Sequence, residues 1–170
     1  PAGDQARAAR RFARAERKFD LMQELGCDLL MICSNVAPDS LGGIDRIAAD
    51  LHELGDNAKK RGIKVGYEAL AWGRHVNDYR DAWEAVRRAD HPSIGVVLDS
   101  FHTLSRKTDL RPMRSIPKDR IFLIEDGLGA LWIGPGRFVD RFANASGMKA
   151  RQFLTEAVVN PFREFLSRHG

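Results

Sequence analysis

Cysteine is scarce. Cys27 and Cys33 are the only two in 170 residues. Two thiols cannot make a cross-linked scaffold, and they fit a reducing compartment, so a cytoplasmic location is expected. Soft-metal sites usually take three or four thiolate or imidazole ligands, so these two alone are not expected to hold a metal. Long apolar runs are missing too. None reaches the roughly eighteen residues of a membrane span. No basic stretch followed by an apolar run opens the chain, so no secretory signal is expected. No Gly-rich phosphate fingerprint follows any strand-length apolar run, which argues against a dinucleotide site.

What is present suits one globular domain. The length allows a real core, and 44% apolar with 29% charged residues is ordinary for a soluble protein. The net charge is +4, from 27 basic and 23 acidic residues. Part of the excess lies in ARAARRFARAERK, residues 6–18. Phe12 and Phe19 fall on the opposite, apolar side, and no nucleic-acid motif accompanies the stretch. It is therefore expected to be the wet face of an amphipathic helix, with neither nucleic acid nor membrane as partner. The chain opens on Pro1 and goes straight into that helix, so trimming or missing leading sequence is expected.

The order of elements is regular. Residues 4–25 have helical periodicity, with Phe12, Ala15, Phe19, Met22 and Leu25 on one stripe, and Gly26 ends it. DLLMIC, residues 28–33, has strand length. A loop with Ser34, Asn35 and Pro38 follows. A second helix is predicted over about 43–60, with Ile44, Ile47, Leu51, Leu54 and Ala58 inward. IKVGYE, residues 63–68, is the second strand. The third helix, about 77–89, turns Tyr79, Trp83 and Val86 inward and breaks at His91-Pro92. IGVVLD (94–99) and RIFLIE (120–125) are the third and fourth strands. The stretch 103–119 looks like loop with one helical turn near Met113. Residues 126–136 are expected to be glycine-rich loop with no fifth or sixth strand, opening a divergent C-terminal segment, 126–170. That segment is expected to hold one or two helices, with Phe138, Phe142, Phe153, Leu154, Val158, Phe162 and Phe165 apolar and a break at Pro161.

Strands alternate with helices and are almost wholly apolar. That pattern belongs to a parallel sheet covered on both faces, in a TIM barrel-like or doubly wound α/β repeat. About four βα units are present, so the domain is an apparently incomplete barrel. An open sheet leaves two edges to cover, by absent segments, a partner, or a homo-oligomer of the same chain.

Three of the four strands end in a carboxylate: Glu68, Asp99 and Glu125. Strand C-termini of a parallel sheet share one edge, and active sites sit there. Acids gathered there repel one another, and a divalent cation relieves this. Oxygen ligands suit magnesium or manganese; an added imidazole suits cobalt, zinc or iron. The plain alternative is that strand-end acids form turns or salt bridges. His102 follows Asp99 by three residues and is a candidate ligand or general base. Arg74 and His75 follow Glu68 on the corresponding loop. Arg74 could clamp a substrate carboxylate, and Trp72 could wall a pocket. Asn35 and Ser34 are candidate polar contacts; His52 and His169 are expected to be solvated. A cation beside a base and an arginine suits removal of a proton next to a carbonyl, the start of isomerisation, epimerisation or loss of water. A small polyhydroxylated carbonyl compound is the expected substrate class.

ERKFDLMQELG (16–26), MICSNVA (31–37), GYEALAWGRHVN (66–77), ADHPSIGVVLDSFHTLS (89–105) and IPKDRIFLI (116–124) together resemble bacterial 3-dehydroshikimate dehydratases of the sugar phosphate isomerase/epimerase superfamily, over about residues 10–124. The resemblance implies a xylose isomerase-like TIM barrel. It implies Glu68 and Asp99 as divalent-metal ligands, Glu125 where the family has a glutamine ligand, and His102 as acid/base. Magnesium, manganese or cobalt is the implied metal. The implied reaction is dehydration of 3-dehydroshikimate to protocatechuate. A sugar phosphate or inosose isomerase or epimerase stays open as an alternative, as does an inactive barrel that needs a partner or further segments.

Overall fold

The computed structural model describes the backbone of residues 2–126, 130–133 and 137–140, and the side chains of residues 9–125. Helix α1 runs Ala2–Leu25, strand β1 Leu29–Cys33, α2 Ile44–Lys59, β2 Lys64–Glu68, α3 Tyr79–Ala89 and β3 Ile94–Asp99. A short helix α4 spans Ser100–Ser105. Two 3₁₀ turns, Arg111–Ser115 and Lys118–Arg120, then lead into β4, Ile121–Asp126. With strands β5, Ala130–Ile133, and β6, Arg137–Asp140, the described residues form one six-stranded sheet in sequence order. β1 to β4 are parallel, while β4, β5 and β6 are antiparallel neighbours.

The parallel part is an α/β repeat of the TIM-barrel kind, as the apolar strands and alternating helices predict. Val65, Val96 and Leu98 are buried to 1% exposure or less. Each such side chain contributes roughly 1.5–3 kcal/mol of burial. Helix α2 packs Ala48, Leu51 and Ala58 inward, and α3 packs Tyr79, Ala82 and Val86. Asp78 caps α3 by accepting the Arg80 N–H at 2.9 Å. Two glycines let the layers close. A Cβ on Gly66 would meet Val97 Cγ2 at 2.7 Å, and one on Gly95 would meet the Arg120 carbonyl at 2.7 Å.

Several expectations change. Residues 126–136 are not all loop, because Ala130–Ile133 forms β5, and Phe138 belongs to strand β6 rather than a helix. Four-residue strands are too short to stand out in glycine-rich sequence. The expected apolar positions Phe142, Phe153, Leu154, Val158, Phe162 and Phe165, together with Pro161 and His169, lie outside the described residues. Leu25 is exposed, so the stripe of α1 that packs ends at Phe19 and Met22. Arg10, Arg11, Arg14, Arg17 and Lys18 are exposed as expected. His52 is not simply solvated, since its Nδ1 lies 2.6 Å from the Ala89 carbonyl.

Candidate metal centre

The chemistry-bearing side chains gather where β2 and β3 end. Glu68 is the last residue of β2 and Asp99 the last of β3. Asp99 is also a turn residue. Its Oδ1 accepts the Phe101 N–H at 2.7 Å and so starts α4. That cap places His102 in the first turn of a helix, one turn past the strand, and not on a loop. Glu68, Asp99 and His102 each offer a ligand atom, all within 4.8 Å of one another. His102 Nε2 lies 3.7 Å from Glu68 Oε1 and 3.6 Å from Asp99 Oδ2. All three side chains are nearly closed off: 4% exposed for Glu68, 11% for Asp99 and 10% for His102.

Electrostatics make this a strained arrangement for an anion. Burial raises the Glu68 carboxyl above its ordinary range, and the Asp99 charge adds to this. A hydrogen bond from Cys33 and the proximity of His102 pull the other way without cancelling it. Two enclosed carboxylates suit a hard divalent cation, and the imidazole would add a nitrogen donor only after its Nε2 gives up its proton. The residues therefore fit a divalent metal, and the donor set does not select one.

His102 has a defined tautomer. Its Nδ1 accepts the Ala71 N–H at 3.1 Å. A neutral imidazole accepting there carries its proton on Nε2, the nitrogen that faces the two acids. Ala71 belongs to the loop after β2, and that loop is fixed from β1. The buried Ser34 hydroxyl accepts the Leu70 N–H at 3.0 Å, and the Ser34 N–H donates to the Glu68 carbonyl at 2.8 Å. A Cβ on Gly73 would collide with the Val76 carbonyl and the Ser34 Oγ. Ser34 is thus a structural tie between loops.

The other candidates are placed unevenly. Glu125 pairs in register with Asp99 across β3 and β4, and its charge acts on Cys33; it is not one of the three clustered residues. The exposed Trp72 ring stands edge-on to His102, with centroids 4.9 Å apart, and Phe101 adds a second ring 5.2 Å from His102. His75 Nε2 lies 2.8 Å from the Ser40 carbonyl. Asn35 uses its Oδ1 to accept the Ala37 N–H, and its carbonyl accepts the Arg74 N–H; both side chains are exposed.

Sequence reasoning missed two partners. Phe101 lies on the short helix α4 beside His102. Cys33 was set aside as a metal ligand, yet it ends β1 as Glu68 ends β2, and the two are register partners. That strand-end position was the available signal.

The model of the family described as xylose isomerase-like TIM barrel matches residues 1–133. The chain belongs to the xylose isomerase-like TIM barrel family. A 3-dehydroshikimate dehydratase of Pseudomonas putida is 61% identical over 112 residues, covering 66% of this chain and 18% of that protein. The 3-dehydroshikimate dehydratase of Pseudomonas aeruginosa is 54% identical over 168 residues, covering 95% of this chain and 26% of that protein. The likeness thus runs well beyond residues 10–124. A solved xylose isomerase-like TIM barrel/4-hydroxyphenylpyruvate dioxygenase fusion protein matches with a TM-score of 0.68 at 58% identity, over 69% of this chain and 19% of that one. The chain spans between 18% and 26% of the length of the two dehydratases it matches. Among the described residues, no helix is long and apolar enough to cross a membrane.

Proposed function

We propose that this chain supplies part of the active site of a divalent-metal-dependent lyase that dehydrates 3-dehydroshikimate to protocatechuate. The observation that carries the reading is the enclosed Glu68, Asp99 and His102 cluster at the strand ends, in a chain 54–61% identical to two 3-dehydroshikimate dehydratases. Glu68 and Asp99 would hold the cation, with Glu125 beside Asp99 as a further oxygen donor. Bound there, a divalent cation would polarise a substrate carbonyl and offset the negative charge that develops on its oxygen.

His102 is the proton-transfer group in this reading. With Nδ1 occupied by Ala71, the ring starts as an Nε2–H donor. Departure of a hydroxyl as water needs such a donor. Removal of a carbon-bound proton by the same nitrogen needs the Ala71 hydrogen bond broken first. Trp72 and Phe101 would wall a flat ring above His102 and limit water. The exposed Arg74 would meet a substrate carboxylate with a two-pronged contact. Asn35 would add a polar contact from the loop that follows β1, whereas His75 holds the Ser40 loop.

The test is incubation of the full-length protein with 3-dehydroshikimate and magnesium, manganese or cobalt. Aromatic absorbance of protocatechuate should appear, vanish on chelation, and fall about a hundredfold or more in Asp99→Asn. No aromatic product, together with interconversion of an inosose or ketose, would replace the lyase by an isomerase.

A further inference from the structure

Cys33 has no part in the reading above, but it touches the centre of it. Its Sγ donates to Glu68 Oε2 at 3.1 Å. The two residues are opposite each other in the β1–β2 register, and parallel neighbours in register project to the same side. The far oxygen of the same carboxylate, Oε1, is the one 3.7 Å from His102 Nε2. The two oxygens of Glu68 are therefore used differently: one toward β1, one toward the acid and the imidazole.

We propose that Cys33 is a positioning residue for the metal centre, its thiol hydrogen bond fixing which Glu68 oxygen is presented to the cation. The proposal rests on the metal reading and adds a partner behind its first ligand. The terminal torsion of a glutamate is broad, so an untethered carboxylate samples many orientations. Cys33 cannot drift away, because the next residue is tied twice to the β2 end, through the Ser34 N–H and the Ser34 hydroxyl. A thiol is a weak donor. The effect therefore belongs at the low end of the roughly 10–100-fold range for groups that orient metal ligands.

The test is cobalt(II) binding to the full-length protein, by calorimetry and by absorption spectroscopy. Cys33→Ala should weaken affinity about tenfold, and Cys33→Ser, which keeps a donor, should stay within about threefold of the unaltered protein. Cys27→Ala, at a thiol that meets the Leu25 carbonyl instead, should change nothing. The unaltered protein should show no thiolate-to-cobalt charge-transfer band. Equal affinity in Cys33→Ala overturns the proposal. So does a thiolate band, which would make Cys33 a ligand, and so does a Cys33→Ser protein as weak as Cys33→Ala. If Cys33→Ala does not fold, Cys33→Ser and the spectrum decide alone, and a tenfold loss in Cys33→Ser counts against it. No cobalt binding by the unaltered protein would overturn the metal reading and this inference together, a different result from unchanged binding in Cys33→Ala.

Discussion

Two buried histidines sit among acids at opposite edges of the parallel sheet. His102 lies past the end of β3; His91 lies before its start. Their local chemistry is alike. His102 Nδ1 accepts the Ala71 N–H and His91 Nδ1 accepts the Ser93 N–H, both at 3.1 Å. Each therefore turns an Nε2–H toward carboxylate: Glu68 and Asp99 for His102, Asp56 at 3.4 Å for His91. The difference is the burial of the acids. Asp56 is 59% exposed, so water already solvates its charge. Glu68 and Asp99 are enclosed and face each other. A histidine beside an acid is thus a common fold-stabilising contact; two enclosed acids sharing one histidine are what a cation would relieve.

The sharpest way to break this contrast is to neutralise one acid at each edge. Asp99→Asn should lower divalent-metal affinity about a hundredfold or more, because it removes a proposed ligand and its charge. Asp56→Asn should leave affinity unchanged. Calorimetry on both proteins checks this, and equal losses would erase the distinction between the edges.

A smaller effect of opposite sign concerns stability without metal. Glu68 is held in a site that disfavours its charge. Glu68→Gln removes that charge with little change in shape. The chelated protein should become more stable by about 1 kcal/mol, while metal binding is lost. Thermal unfolding with a chelator measures it. A less stable Glu68→Gln protein would mean that the Cys33 and His102 contacts outweigh the cost of burying the charge.

The same contrast shows how much of the molecule was legible in its sequence. Glu68 and Asp99 stood out because apolar strands ended in acids 31 residues apart. The helices were legible wherever a stripe such as Leu51, Leu54 and Ala58 repeated over several turns. Helix α4 was not, since its six residues are too few to show a period and its cap, Asp99, doubles as the strand end. β5 and β6 were hidden for the same reason of length. The Ala71 contact that sets the His102 tautomer joins residues 31 apart through a loop. Nothing in local pattern encodes that. His91 looked like a helix breaker beside Pro92; its burial under Gly55, where a Cβ would strike its ring, is a packing fact that only the folded chain shows.

The smallest expected effect is the pH slope that His91 contributes. Burial lowers its pKa below the ordinary 6.5; Asp56 pulls it up, while His52 and Lys59 push it further down. Below 6.5 the unfolded chain takes up a proton that folded His91 declines. This contribution to stability is therefore present above 6.5 and is lost as the pH falls. Urea unfolding in chelator at about pH 7.5 and 5.5 should show lower stability at the acid end, with a flatter difference in His91→Gln. Asp56→Asn should steepen it, because the exposed acid is the group that eases protonation of His91. An Asp56→Asn protein with a shallower slope would mean that the wet acid stabilises neutral His91 rather than its charged form. His91–Asp56 would then be a contact of another kind, no longer a fair counterpart to the enclosed acids around His102.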